Sequence, residues 1–331
     1  MMVRTSSAPP SPVPVVDLWN LHRKTEAEWR VILATRPEEA VAWIRLAAGK
    51  GFKAAQLVLG QMHLDGHGVP RDPAAAHGWF AKAAAIGSAE ARNMVGRCHE
   101  LGWGVPVDHA QALVHYRKAA AAGLDWAHYN IGCLLLYGTG VGRNHGKAFA
   151  SFTVAAGLGH AKALGMLGRC HEEGWGTLVD RAMARTLYRR AAAGGDCWGA
   201  LNLGLLLFEG GQQDEAASYL QESVALATPN CLATIIDTLG RRPEPVFTTV
   251  VGEAARRADL MRAARRAQGD ARPEAVPRGR TARLGQGLPG QGMPGQGMPS
   301  RPLRFALLLG AALTTAVRRR RRARHRWSSP A

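Results

Sequence analysis

The apolar residues of one segment, 53–88, follow two helical periods separated by a short break. Residues spaced three or four apart lie on one face of an α-helix, so this spacing predicts helices over 53–65 and 73–86. The first apolar face carries Leu57, Leu59, Met62 and Leu64, and the second carries Ala76, Phe80, Ala83 and Ala84. The pattern therefore predicts a helix-turn-helix unit.

Turn and cap signals mark the ends of both helices. Between them, the run Gly66-His67-Gly68-Val69-Pro70 predicts a turn, because glycine accepts positive φ and proline cannot continue a helix. Asp72 suits the N-cap of the second helix, and Pro73 suits its first position, where the missing N–H costs nothing. Gly87 is expected to end that helix.

This unit recurs every 36 residues through the middle of the chain. Glycines, an aromatic residue and a capping Asp or Asn each keep that spacing over four or five copies. The aligned columns are Gly60, Gly96, Gly132, Gly168 and Gly204; Gly87, Gly123, Gly159 and Gly195; Phe80, Tyr116, Phe152 and Tyr188; and Asp72, Asp108, Asn144 and Asp180. A fixed period of this length is typical of one supersecondary unit copied in tandem, and such units stack into a solenoid.

The glycine inside the first helix of each copy predicts close packing. Glycine in a helix interior costs about 1 kcal/mol relative to alanine. Because the same cost recurs in five copies, we expect another helix to approach at this position, with the aromatic residue filling the remaining space. These columns are interpreted as core, which removes them as candidate functional residues.

The limits of the period divide the chain. Residues 38–52 match a lone second helix, four full copies follow, and a shortened copy ends near 228. The prediction is a disordered N-terminus at 1–14, an N-terminal helix and half-repeat at 15–52, the repeat solenoid at 53–228, capping helices at 229–267, and a disordered, basic Gly/Pro/Arg-rich tail at 268–331.

The repeated motifs are those of a known family. The chain resembles the Sel-one-like repeat (SLR) family, a branch of the tetratricopeptide-like proteins, in Leu59-Gly60, Gly66-x-Gly68-Val69, Asp72-x-x-x-Ala76 and Phe80-x-x-Ala83-Ala84. The resemblance implies an all-α fold, a right-handed α/α superhelical solenoid of about five 36-residue helix-turn-helix repeats. It also implies a scaffold or adaptor role, because the family has no common enzymatic activity.

A longer period of 72 residues lies over the first. Residues 94–100 are echoed at 166–172, and Trp103 is echoed by Trp175. Two explanations stay open at this point. A two-repeat block was duplicated, or a surface feature of every second copy meets a ligand that has a matching repeat.

Most of the net charge of +17 lies at the C-terminal end, and the repeats themselves are nearly neutral. Residues 305–317 are mostly apolar, but a helix of this length reaches only about 20 Å into a bilayer core of about 30 Å. A membrane span, peripheral binding of 303–326 to anionic lipid, nucleic-acid contact and a solvated extension all stay open. Nucleic acid is disfavoured, because Trp327 is the one aromatic residue beside the arginine cluster.

Cysteine and histidine usage bears on compartment and cofactors. Five cysteines do not pair regularly within copies, and residues 1–14 have no apolar signal core, so a cytoplasmic protein is predicted. Adjacent helical residues point about 100° apart, so the Cys–His neighbours do not converge on one zinc ion and no metal or other cofactor is predicted. The residues concerned are His63, His99 and His171, with Cys98 and Cys170.

The sequence predicts a non-catalytic scaffold that binds a peptide or partner protein on the concave face of the solenoid. It contains no recognisable nucleophile motif, phosphate loop or metal spacing, so neither an enzyme nor a small-molecule substrate is predicted. As alternatives, the asparagines pair within the stack and the arginines are solvated, or the protein is a membrane-associated adaptor tethered through its C-terminal segment. The candidate contacts are polar first-helix positions: Asn93, Arg97, Tyr129, Asn130, Arg169 and Asn202.

Overall fold

The computed structural model describes residues 36–267, together with Glu28, Ile32 and Thr35. The predicted segments at 1–14 and 268–331, and most of the predicted helical region at 15–35, lie outside the described residues. Over residues 36–267 the structure has thirteen α-helices and no strand: α1 (Pro37–Gly49), α2 (Lys53–Asp65), α3 (Pro73–Ala85), α4 (Ala89–Leu101), α5 (His109–Ala120), α6 (Asp125–Tyr137), α7 (His145–Gly157), α8 (Ala161–Glu173), α9 (Arg181–Ala193), α10 (Cys197–Glu209), α11 (Gln213–Leu226), α12 (Pro229–Leu239) and α13 (Pro245–Ala267). The predicted all-α repeat fold is confirmed.

The caps predicted from the repeat columns fix where these helices begin and end. The Asp72 carboxylate accepts the N–H of Ala75 at 2.9 Å, and the equivalent residue caps α5, α7 and α9 in the same way. The first helices of successive copies end at a glycine in the left-handed region, such as Gly66 at φ 71° and Gly138 at φ 68°. Local sequence therefore sets the helix boundaries.

The glycine column of the first helices lies against the second helix of the same copy. A Cβ added to Gly60 would lie 2.6 Å from the Phe80 ring, and one added to Gly132 would lie 2.5 Å from Phe152. The same clash arises between Gly168 and the ring of Tyr188, at 2.6 Å. The predicted close packing is confirmed, and the partner is the aromatic column itself.

The described residues form two compact units. Residues 36–98 and 102–106 belong to the first unit, where α2 packs against α1 and α3. Residues 99–101 and 107–267 belong to the second, in which every helix from α5 to α11 packs on the next one along the chain. Two helices, α12 and α13, fill the predicted capping segment and share a core with α10 and α11.

Residues that recur after 72 positions make the same contact in each of their two copies. The hydroxyl of Tyr188 donates a hydrogen bond to Glu172 at 2.6 Å, and that of Tyr116 donates one to Glu100. In the two copies where the aromatic residue is phenylalanine, the residue sixteen positions earlier is leucine, as in the pair Leu64 and Phe80. Alternate copies therefore carry a polar and an apolar version of the same core contact.

A second pairing follows the same alternation. The guanidinium of Arg97 lies 4.9 Å from the ring centre of Trp103, and that of Arg169 lies 4.9 Å from that of Trp175. Both distances allow a cation–π contact. The 72-residue echo thus includes residues that contact each other within their own copy, and both explanations of its origin stay open.

Replacing Tyr116 with phenylalanine is expected to reduce the free energy of unfolding by about 1–3 kcal/mol, because the buried Glu100 carboxylate loses its hydroxyl donor. The double variant Glu100→Leu/Tyr116→Phe recreates the Leu64–Phe80 pair and is expected to recover most of the loss. Urea unfolding of the full chain, followed by tryptophan fluorescence, checks both. A double variant no more stable than the single one would contradict this account of the pair.

No helix among the described residues combines the length and the apolar character needed to cross a bilayer. The apolar segment 305–317 and the basic residues up to 326 lie outside the described part. Tethering through that segment, and a cytoplasmic location, stay predictions from the sequence.

Candidate functional site

A groove of about 360 Å³ opens in the second unit between α8, α10 and α12. Helix α10 lies between the other two helices, because it packs against both α8 and α12. The C-terminal ends of α8 and α10 form one side of the groove, the α8–α10 rim, and the end of α12 with the residues that follow it forms the other, the α12 wall. The lining residues are Arg169, Glu172, Glu173, Asn202, Leu205, Leu206, Glu209, Thr238, Arg241 and Arg242.

The groove lies at the C-terminal ends of these three helices, which end at Glu173, Glu209 and Leu239. The last carbonyl groups of an α-helix lack intrahelical partners and carry a partial negative charge. Helix ends of this kind favour a positively charged group in their neighbourhood. The two acidic side chains at the ends of α8 and α10 add to the same negative field.

The structure brings two of the six predicted contact residues together in this groove. Arg169 comes from α8 and Asn202 from α10, and both are buried, at 4% and 8% exposure. Tyr129 and Asn130 lie on α6, are half-buried and do not line the groove. Asn93 and Arg97 are buried residues of the first unit.

The guanidinium of Arg169 contacts an aromatic ring. Its guanidinium stacks on Trp175, while its Nη1 atom is buried without a hydrogen-bond acceptor among the described residues. Burial raises the pKa of Tyr137 to about 12, and the neighbouring Arg169 opposes that rise. The alternative in which Arg97 and Arg169 are solvated is wrong, since both side chains are buried.

The charged residues of the two walls differ in sign and in pairing. Glu173 and Glu209 are exposed, and neither forms an ion pair with any residue that the structure describes. On the opposite wall, Arg241 binds Asp237 at 2.7 Å, and Arg242 lies 5.2 Å over the ring of Phe247. The groove therefore has an acidic rim facing a basic one.

Sequence reasoning did not select most of these lining residues. Glu173 and Glu209 are 36 residues apart, so the repeat column would have revealed them as an acidic pair in the last two copies, with Asp65 at the same position of the first copy. Thr238, Arg241 and Arg242 follow the repeats, where no period is left to compare. Only the packing of α12 on α10 brings them to the groove.

A second polar cluster lies at the N-terminal ends of α8 and α10. The Asp196 carboxylate accepts the N–H of Gly199 at 3.0 Å, but its other oxygen is buried without a hydrogen-bond partner among the described residues. Burial raises the pKa of Asp196 to about 6, and the nearby Lys162 opposes that rise. None of these residues lines the groove.

His160 occupies the equivalent position at the start of α8. Its ring stacks on Tyr129 at a centroid distance of 4.8 Å and meets Trp126 edge-on at 4.3 Å. Burial lowers the pKa of His160 to about 4, while Asp125 acts in the opposite direction. Tyr129, one of the predicted contact residues, is therefore engaged in packing against the N-cap residue of α8.

In the part of the chain that the structure describes, no group of three His, Cys, Asp or Glu side chains is placed to hold a metal ion. The ring of His99 stacks on that of His115 at 5.5 Å. All five cysteines are free and buried. Burial raises the pKa of Cys98, Cys133 and Cys170 to about 12, which keeps these thiols protonated and unreactive at neutral pH.

The repeats can now be compared with known families. The family model for the Sel1 repeat matches residues 36–52, 53–88, 89–124, 127–160 and 161–196. Residues 36–196 therefore belong to the Sel1 repeat family. The Sel1 match ends at 196, yet α10 and α11 continue the packing, with a Cβ on Gly204 lying 2.7 Å from Leu220. Sel1 repeats form a helical scaffold that is typical of protein–protein interaction.

Two solved structures support the same Sel1 repeat fold. A Sel1 repeat protein from Oxalobacter formigenes is 25% identical, with a TM-score of 0.58 over 72% of this chain and 100% of its own. The protein c5321, a protective antigen of uropathogenic Escherichia coli strains, is 24% identical, with a TM-score of 0.51 over 71% of this chain. The matched region covers 53% of c5321, about half its length. No curated protein matches this chain at a significant level.

Proposed function

We propose that this Sel1 repeat protein is a non-catalytic adaptor that holds a segment of a partner protein in the groove between α8, α10 and α12. The observation that carries the proposal is the pair of exposed acidic residues, Glu173 and Glu209, which have no ion-pair partner among the described residues and line the groove together with Leu205 and Leu206. Charges across a protein interface are arranged to be complementary, so these two carboxylates are available to pair with a basic group of a partner.

The dimensions and lining of the groove suit a short peptide segment. A volume of about 360 Å³ lies at the lower end of the range for ligand sites, about 300–1,000 Å³. Leu206, which is half-buried, offers apolar contact to a ligand, and the almost fully buried Leu205 lies beside it in the lining. The Asn202 amide has both donor and acceptor groups, which a peptide backbone requires.

The same lining argues for recognition rather than catalysis. It supplies carboxylate and guanidinium groups and the single hydroxyl of Thr238, but no histidine, cysteine or serine. Glu172 already accepts the hydroxyl hydrogen of Tyr188, and Arg241 already binds Asp237. A nucleophile activated by an adjacent base is the usual signature of covalent catalysis, and this groove presents no such pair.

A selection from a phage-displayed library of random dodecapeptides tests the proposal on the full chain. Selected peptides are expected to bind the variant Thr238→Trp at least about tenfold more weakly, because the indole fills the groove beside Arg241. The matched control Thr248→Trp places the same side chain at an exposed position of α13 and should leave binding unchanged. If no peptide is selected, or if Thr238→Trp binds the peptides normally, the groove is not the binding site.

A further inference from the structure

We infer that the groove recognises a partner segment that carries both a basic and an acidic side chain, the basic one at the α8–α10 rim and the acidic one at the α12 wall. This inference rests on the proposed function and adds the chemistry of the partner. It is argued from the placement of charges on the two walls and from their different states of pairing.

The α8–α10 rim offers a site for a positive charge. Glu173 and Glu209 are the last residues of two neighbouring helices, so their carboxylates add to the negative ends of both helix dipoles. Both are exposed, and neither forms an ion pair within the described residues. A lysine or arginine side chain of the partner would supply the missing countercharge.

The α12 wall offers a site for a negative charge. Arg241 is bound to Asp237, but both side chains of this pair are 67% exposed, and exposed ion pairs contribute little net free energy. A partner carboxylate can therefore share or replace that contact. Arg242 adds a second guanidinium, which lies 5.2 Å from the ring centre of Phe247. A guanidinium group suits bidentate binding of a carboxylate.

The balance of charges selects a segment of mixed sign over one of single sign. The lining contains three glutamates and three arginines. A purely basic segment would place charge against Arg241 and Arg242, and a purely acidic one would place it against Glu173 and Glu209. Like charges brought together at an interface weaken binding and exclude the wrong partner.

Synthetic peptides in a Gly/Ser background test the inference directly. One series carries a lysine and an aspartate at several spacings and in both orders; three further peptides carry two lysines, two aspartates or no charge. Binding to the full chain is measured by fluorescence anisotropy at low ionic strength, where charge contacts are least screened. We expect the best mixed peptide to bind about tenfold or more tightly than any of the other three.

Charge reversal on each wall identifies the contacts. The double variants Glu173→Lys/Glu209→Lys and Arg241→Glu/Arg242→Glu should each weaken binding of the best mixed peptide about tenfold. Two matched controls make the same charge changes away from the groove, Asp214→Lys/Glu222→Lys on α11 and Arg181→Glu/Arg190→Glu on α9, and should leave binding unchanged. Combining both reversals should restore binding for the mixed peptide of opposite order.

Four results would overturn the inference. The first is equal or tighter binding of a single-sign peptide; if the two-lysine peptide binds best, a basic segment such as the chain's own 318–326 fits the groove better. The second is an effect of the control variants as large as that of the groove variants. The third is self-association of the chain that both groove variants abolish, which would assign the surface to a second copy. If the library peptides bind at the groove but show no charge preference, the proposed function stands and this inference fails.

Discussion

Asp196→Asn is expected to stabilise the protein at pH 8 while leaving its stability at pH 4 nearly unchanged. The Asp196 side chain is buried, at 4% exposure, and burial raises its pKa from 3.8 to about 6. A carboxyl whose folded pKa is raised contributes stability while it is protonated, and this contribution is lost as the pH rises from about 4 through about 6. A shift of about two pKa units corresponds to about 3 kcal/mol, which is the upper limit of the expected gain.

Asparagine is the appropriate replacement because it can accept the same N–H of Gly199 and so keeps the cap of α10. His160 acts in the opposite sense: its lowered pKa contributes stability above about pH 6.5, which is lost as the pH falls toward about 4. Because His160 is present in both proteins, its effect cancels when the variant is compared with the wild type at each pH.

Urea unfolding of the full chain at pH 4, 6 and 8 measures the difference. The control Asp180→Asn changes an equivalent cap whose carboxylate is exposed to solvent, so its effect should vary little with pH. A difference between Asp196→Asn and the wild type that stays constant over this range would show that the buried carboxyl does not destabilise the folded protein.

Gly132→Ala is expected to lower the free energy of unfolding by about 1–3 kcal/mol, although alanine favours helices. The added Cβ would lie 2.5 Å from one atom of the Phe152 ring and within 2.8 Å of two more. The ring is fully buried at the centre of the second unit, so it cannot move aside without displacing its own neighbours. The overpacking therefore exceeds the gain in helix propensity.

Thermal unfolding compares this variant with Gly157→Ala in the last turn of the neighbouring helix α7. No atom lies within 4 Å of a Cβ built on Gly157, so alanine should be neutral or stabilising there. The double variant Gly132→Ala/Phe152→Leu should lose less than the sum of its single changes, because the smaller side chain makes room for the methyl group. Equal stability of Gly132→Ala and Gly157→Ala would refute the account of the glycine column.

The sequence alone determined the repeat unit, the helix boundaries and the role of the glycine column. Each of these depends on residues that are close along the chain, such as the Asp72 cap and the contact between Gly60 and Phe80 within one copy. Because the unit is copied in tandem, the same residue types recur at the same positions in several copies. This recurrence distinguishes positions that the fold requires from chance matches. Local signals of this kind need no knowledge of the tertiary structure.

Only the tertiary structure determined where the groove lies and that the carboxyl group of Asp196 is buried. Arg241 and Arg242 follow the last repeat, and they meet Arg169 and Asn202 because α12 packs on α10. Asp196 looks in the sequence like any other capping residue, and its raised pKa comes from the helices that close around it. Burial and charge at these sites depend on which helices pack together although they are distant along the chain. The 36-residue period does not predict how the helices that follow the last repeat will pack.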